Sequence, residues 1–241
     1  MSDTPAVIGH RGACGHAPEN TLASIAKAAE LGAQWVEFDV MLSRDDKCVL
    51  FHDDKLLRTT GQKGLTAETS LAGLQRMDAG SWFSDDFAGE AIPTLSEAMD
   101  LLAKLGLGAV VEIKPSEGRD VETGRIVSGM VRDHWPVSVP QPIISSFSEA
   151  ALEQAMKEAP HIPRALNVFN GLSDWKVKLR TLDCVALHCM HTDLSEKTVG
   201  KIITAGYDLR CFTVNEVARA NTLFGWGVCS VFSDFPERIM A

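Results

Sequence analysis

Trp35-Val36-Glu37-Phe38-Asp39-Val40-Met41-Leu42 is an apolar run interrupted at two alternate positions by carboxylates. Successive side chains of a strand point to opposite faces, so Glu37 and Asp39 share one side while Val36, Phe38 and Val40 share the other. Charges are rarely buried unless paired or bound to a metal, so a strand core carrying two acids reads as a site. Val111-Glu112-Ile113-Lys114 repeats the spacing and puts Glu112 and Lys114 on a common side.

Outward from this run, eight short β-like stretches recur, at 6–9, 35–42, 109–114, 142–147, 163–168, 184–189, 208–214 and 228–232. Most are separated by helix-like segments. A further run, 48–52, follows the second stretch after Ser43-Arg44-Asp45-Asp46 and predicts a hairpin extension of it. Residues 21–31 carry Leu22, Ile25, Ala26 and Ala29 at helical spacing, with Asn20 expected as N-cap and Gly32 as C-cap. Residues 94–105 repeat that pattern and end before Gly106.

Strands alternating with helices imply a parallel sheet. Eight such units in 241 residues predict an α/β fold of the closed (β/α)8 TIM-barrel type, formed by a single domain, 1–241. The Gly-x-Gly-x-x-Gly fingerprint of open dinucleotide-binding sheets is absent. Segment 54–93 breaks the rhythm: it is polar, rich in turns and weakly periodic. It reads as a small insertion after the second-strand region, a cap over the catalytic face. Its Trp82, Phe83 and Phe87 are expected to pack a small core of their own, with a cleft-lining role as the alternative.

The chain is 45% hydrophobic and 23% charged, with a net charge of −9 and no basic block, which argues against nucleic acid as a partner. No stretch of about 18 apolar residues could span a bilayer. Met1-Ser2-Asp3-Thr4-Pro5 has neither a basic region nor an apolar segment of signal-peptide type. The six scattered cysteines read as reduced core residues, and the expected compartment is the cytoplasm. No signal for an oligomeric state is present.

Three carboxylates on two adjacent strands suit a hard divalent cation, Mg2+ or Ca2+, with Mn2+ as a further candidate. Ion pairing of Glu37, Asp39 and Glu112 with Arg11 and Lys114 is the alternative, but three acids outnumber two cations. His10-Arg11 ends the first run and His52 the hairpin run. Histidines titrate near neutral pH and can serve as general base and general acid. Arg11 offers a planar fork for phosphate oxygens, and Lys114 adds a second positive charge. Glu19 either orients Arg11, ligates metal or sits favourably near a helix N-terminus. His188-Cys189-Met190-His191 lacks the second cluster a zinc site wants. His188 and Met190 are expected to end the sixth run rather than line a pocket, and His134 and His161 to lie on the surface. Cys14 is a candidate thiol with no nucleophile arrangement around it.

His10-Arg11-Gly12, Pro18-Glu19-Asn20-Thr21, Glu37-Phe38-Asp39-Val40, Phe51-His52-Asp53-Asp54 and Glu112-Ile113-Lys114 follow in order. Phe212-Thr213-Val214-Asn215 and Ser233-Asp234-Phe235-Pro236 come later. Over residues 10–239 this set resembles the glycerophosphodiester phosphodiesterases, and is most similar to their compact cytoplasmic bacterial members. The resemblance implies a TIM barrel that hydrolyses glycerophosphodiesters to sn-glycerol 3-phosphate and an alcohol. It implies Glu37, Asp39 and Glu112 as metal ligands, His10 and His52 as the acid–base pair, and Arg11 and Lys114 as phosphate-binding cations. Glu19, Phe212 and Asn215 would be secondary site residues. The family's similarity to bacterial phosphatidylinositol-specific phospholipases implies attack by the substrate's own glycerol hydroxyl through a cyclic phosphate. Phe212 stands where many members have Trp, and Ser233 where Thr is common. Glycerophosphocholine and glycerophosphoethanolamine are the expected substrates. The alternatives are a lysophospholipase D-like phosphodiesterase, which needs an apolar groove, and a non-catalytic barrel that binds phosphorylated metabolites, which needs no acid–base pair.

Overall fold

A computed structural model describes residues 4–169, 172–192 and 194–241. Residues 1–3, where a signal peptide is not expected, lie outside the described residues. The chain runs through β1 (Val7–Gly9), α1 (Leu22–Glu30), β2 (Trp35–Leu42), β3 (Cys48–Leu50), α2 (Leu57–Thr60), α3 (Leu71–Leu74), α4 (Leu95–Leu105) and β4 (Gly108–Ile113). It continues through α5 (Asp120–His134), β5 (Ile143–Ser146), α6 (Glu149–Glu158), β6 (Arg164–Val168), α7 (Trp175–Thr181) and β7 (Ala186–Met190). Last come α8 (Glu196–Thr204), β8 (Asp208–Phe212), α9 (Val217–Trp226), β9 (Ser230–Ser233) and α10 (Pro236–Met240).

All strands except β3 are parallel to their neighbours, and the sheet closes because β1 pairs with both β9 and β2. The result is the expected TIM barrel. Val7 lies beside Val231, and Gly9 beside Val36. β3 runs antiparallel to β2 with Leu42 opposite Cys48, the hairpin extension read from the sequence.

Alternation along the strands divides the core. Ile8, Trp35, Val110, Ile143, Ala165, Ala186 and Phe232 fill the barrel interior. Val36, Phe38 and Val40 face outward with Val111 and Ile113, packing against α1, α4 and α5. The register sets Asp39 beside Glu112, Glu112 beside Ser145 and Asn167 beside His188, so the interior turns polar toward the C-terminal ends of the strands.

The expected start of the first helix is corrected by one residue. Thr21, not Asn20, is the N-cap, its hydroxyl accepting from Ser24 N at 3.1 Å. Asn20 adopts a left-handed φ of 57° and spends its side chain on Asp39. At the other end Leu31 is the C-cap, and Gly32 follows it with φ 90°. Thr94 and Glu97 close a capping box at the start of α4, and Gly106 ends that helix in the left-handed region. In segment 54–93, Leu56, Leu74, Ala79 and Ile92 pack against Met41, Val49 and Phe51 of the β2–β3 hairpin. Trp82 meets Phe83 edge-on at 5.8 Å, and Phe83 meets Phe87 at 5.6 Å, but Trp82 is exposed and the other two only half-buried, so they touch one another outside the core that Leu56, Leu74, Ala79 and Ile92 form. No helix of the described residues is long and apolar enough to cross a membrane.

Candidate active site

At the C-terminal mouth of the barrel, one cavity is bordered by His10, Arg11, Glu37, Asp39, His52, Glu112 and Lys114. All seven sequence-predicted primary residues therefore meet, although they come from four separate stretches of chain. TIM-barrel enzymes place their active sites at this face.

The three carboxylates each offer an oxygen within 4.8 Å of the others. Asp39 is the most heavily partnered. It accepts from Asn20 Nδ2 at 2.9 Å and Lys114 Nζ at 3.1 Å, and Arg11 Nε lies 3.3 Å away. Burial alone would raise its pKa, but Lys114 and Arg11 outweigh that and hold it ionised, well below the usual carboxylate range. Glu112 accepts from Lys114 Nζ at 3.1 Å and from Asn167 Nδ2 at 2.9 Å. Burial, then the neighbouring Asp39, pushes it up to about 7.

Glu37 is only 5% exposed, and among the described residues it forms no ion pair. Its contact is the Arg11 backbone N–H, at 3.0 Å. Burial, with Asp39 and Glu112 nearby, raises its pKa well above normal. A buried acid without an ion-pair contact among the described residues, in an all-oxygen set of three, fits a hard divalent metal better than a closed salt-bridge network. This set can hold such an ion.

Arg11 is fixed by its surroundings. Its backbone sits at φ 48°, Glu19 accepts from its Nη1 at 2.8 Å, and its charged form is favoured by Asp39, Glu19 and Glu37 despite burial. Glu19 lies outside the carboxylate trio and also accepts from Arg58 Nη1 (2.6 Å) and Nη2 (2.8 Å). Of its three readings, orienting Arg11 matches this geometry.

The two histidines have parallel settings. His10 Nδ1 lies 2.7 Å from Asp234 Oδ1, and His52 Nδ1 lies 2.6 Å from Asp53 Oδ1. Both aspartates are held below the ordinary range. For Asp53, at about 2, the cause is mainly its Arg58 hydrogen bonds. For Asp234, hydrogen bonds from His10, Cys14 and Asn215 overcome the effect of burial. An ionised carboxylate only accepts, so Nδ1 carries the hydrogen in each ring and the neutral ring's Nε2 is left as a base. Burial, above all, lowers the His52 pKa. Asn215 grips Asp234, donating through Nδ2 to Oδ2 at 2.7 Å and accepting from the Asp234 N–H at 2.9 Å. It acts one layer behind the cavity. Phe212 borders the cavity in an aromatic wall, edge-on to Phe147 and Phe169 at 5.8 Å each, while those two stack at 4.4 Å.

One expectation is overturned. His188 and Met190 do end the sixth parallel strand, β7, but both also line the cavity, because strand alternation turns them inward beside Asn167 and Phe212. His134 and His161 are exposed, as expected. No site role is legible in the sequence for Asn167 or Arg58; Asn20 reads only as a helix cap, and Asp53 and Asp234 stand only as members of motifs. The adjacency of His52 and Asp53 was a usable signal; Asp234 stands in the Ser233-Asp234-Phe235-Pro236 motif, but nothing local pairs it with His10, 224 positions away.

The family model described as "Glycerophosphoryl diester phosphodiesterase family" matches residues 10–238. A glycerophosphodiester phosphodiesterase of Caldanaerobacter subterraneus is 32% identical over 238 residues, covering 97% of this chain and 96% of that protein. Another, from Bacillus subtilis, is 30% identical over 95% of this chain and 83% of its own length. Among solved structures, an Oleispira antarctica phosphodiesterase in complex with the product sn-glycerol-3-phosphate superposes with a TM-score of 0.95. It is 43% identical and covers 98% of this chain and 96% of its own.

Proposed function

This chain belongs to the glycerophosphoryl diester phosphodiesterase family, and from that footing we propose that it releases sn-glycerol 3-phosphate and an alcohol by histidine acid–base catalysis beside a divalent metal. Glu37, Asp39 and Glu112 would hold the ion, Mg2+, Ca2+ or Mn2+, which offsets phosphate charge and polarises the P–O bonds when bound. Arg11 and Lys114, now turned onto Asp39 and Glu112, supply the donors for the phosphate oxygens.

The observation that carries this reading is the matched pair of imidazoles, each giving Nδ1 to an ionised aspartate and each bordering the same cavity. Burial favours neutral His52, the form a base requires, so its Nε2 takes the proton of the glycerol hydroxyl next to the phosphoester carbon. That oxygen bonds to phosphorus, the P–O bond to the alcohol breaks, and His10 protonates the departing oxygen. Water then opens the cyclic phosphate with the two histidines in exchanged roles.

Glycerophosphocholine and glycerophosphoethanolamine suit a cavity with one charged side, for the phosphate, and one aromatic side, formed by Phe147, Phe169 and Phe212. Segment 54–93 is read as a cap of the single domain, tied to the site through Arg58. An acidic chain with six free cysteines suits a reducing cytoplasm.

The test is hydrolysis of glycerophosphocholine, followed by glycerol 3-phosphate release, in His10→Ala and His52→Ala. Each should lower kcat by about 10²–10⁴-fold, with metal binding by calorimetry retained. Undiminished turnover in both variants rejects the mechanism. Lysophosphatidylcholine in the same assay tests the lysophospholipase D-like alternative.

A further inference from the structure

We propose that His10, Cys14 and Asp234 form a second cation site, for a borderline or soft divalent ion such as Zn2+, and that filling it switches turnover off. The inhibitory half of this proposal rests on His10 acting as an acid–base group. Cys14 lies in the turn after β1, four residues beyond His10. Its thiol donates to Asp234 Oδ1 at 2.9 Å, and its sulfur is 3.9 Å from His10 Nδ1. His10 Nδ1 meets the same carboxylate oxygen at 2.7 Å. One ligand atom from each residue lies within 4.8 Å of the other two.

An imidazole nitrogen, a thiol sulfur and a carboxylate oxygen are the donors that tetrahedral zinc takes, with solvent in the fourth position. Ligand atoms about 2.0–2.3 Å from such an ion stand roughly 3.3–3.7 Å from one another. The Asp234 oxygen therefore has to withdraw by less than an ångström from its two partners. The thiol proton leaves to solvent, and the ion takes the place of the S–H···O bond. The side chains of His10 and Asp234 are 18% and 25% exposed, and Cys14 is half-buried, so an ion has a way in.

This cluster is distinct from the carboxylate trio in both position and chemistry. Neither Cys14 nor Asp234 borders the acidic cavity, whereas His10 does and so belongs to both. Oxygen-only ligands favour Mg2+ or Ca2+; a set with sulfur and nitrogen favours Zn2+. An ion on His10 Nδ1 removes the Asp234 contact and consumes that nitrogen. The hydrogen displaced from Nδ1 leaves to solvent while Nε2 takes one up, so the neutral ring now carries its single hydrogen on Nε2 and no longer cycles between its neutral and doubly protonated forms.

The experiment uses the full chain with the activating metal in excess. Zn2+ is titrated against turnover, and Co2+, a spectroscopic substitute, against the near-ultraviolet thiolate-to-cobalt absorption. Cys14→Ser retains a donor for Asp234 but removes the sulfur. We expect wild-type protein to develop the band and to be inhibited by Zn2+. Cys14→Ser should lack the band and need at least about tenfold more Zn2+ for half-inhibition of its own rate. Absence of the band in the wild type, or its persistence in Cys14→Ser, overturns the site. A Cys14-dependent band with turnover untouched by Zn2+ overturns the inhibition and counts against the acid–base reading of His10, leaving the cation site standing.

Discussion

Asp53 receives Nε and Nη2 of Arg58, at 2.7 and 3.0 Å, while meeting the ring of His52 at 2.6 Å. These bonds, Arg58's first, hold its folded pKa at about 2, below the roughly 3.9 of an unfolded chain. A depressed carboxylate contributes stability that is present above the unfolded pKa and lost as pH falls through the folded one. The difference in urea midpoint between wild type and Asp53→Asn should therefore hold steady from pH 7 to about 4 and shrink below it. A gap that stays constant to pH 3 would show that Arg58 does not set the Asp53 charge. The same residue links chemistry to packing: Arg58 bridges Asp53 to Glu19, and so joins the settings of His52 and Arg11.

At the scale of elements, β2 and β4 do most to build the site. Each has one face that packs under helices and another that carries acids, and their register brings Asp39 and Glu112 side by side. α4, just after segment 54–93, steadies the chain that leads into β4. Its capping box has Thr94 Oγ1 accepting from Glu97 N at 3.2 Å and the Glu97 carboxylate accepting from Thr94 N at 2.8 Å. Thr94→Ala removes the hydroxyl acceptor and should cost about 1 kcal/mol, within roughly 0.5–2. The urea-unfolding midpoint measures it, and an unchanged midpoint would mean that tertiary packing alone fixes this helix.

For the whole molecule, an ion that binds the folded barrel and not the unfolded chain adds stability by mass action. Mg2+ or Ca2+ at a hundred times its Kd should contribute about 2.7 kcal/mol, raising Tm by roughly 5–10 °C for a protein of this size. Chelation should reverse the shift and abolish turnover together. A Tm indifferent to both ions, or full activity in excess chelator, would refute the carboxylate site. The unfolded chain cannot substitute for it, because Glu37 and Glu112 come together only when β2 and β4 pair.

Periodicity was sufficient for the strands, the hairpin and the closed barrel. Alternation is a local property, and a parallel strand buried on both faces needs helices between it and the next. Residue chemistry also marked the three acids, the two histidines, Arg11 and Lys114, since charged groups in strand cores need a reason. What closure of the barrel alone decided was which partners those groups have. Asp234 reaches His10 only because β9 lies against β1, and Asn167 reaches Glu112 across β5. His188 faces the cavity because the register of β7 turns it inward. The one-residue error at Asn20 has the same origin, for its side chain answers Asp39 on β2 instead of its own helix. Local sequence sets which face a side chain takes; the contacts that fix its charge and role span as many as 224 positions and exist only after the sheet has closed.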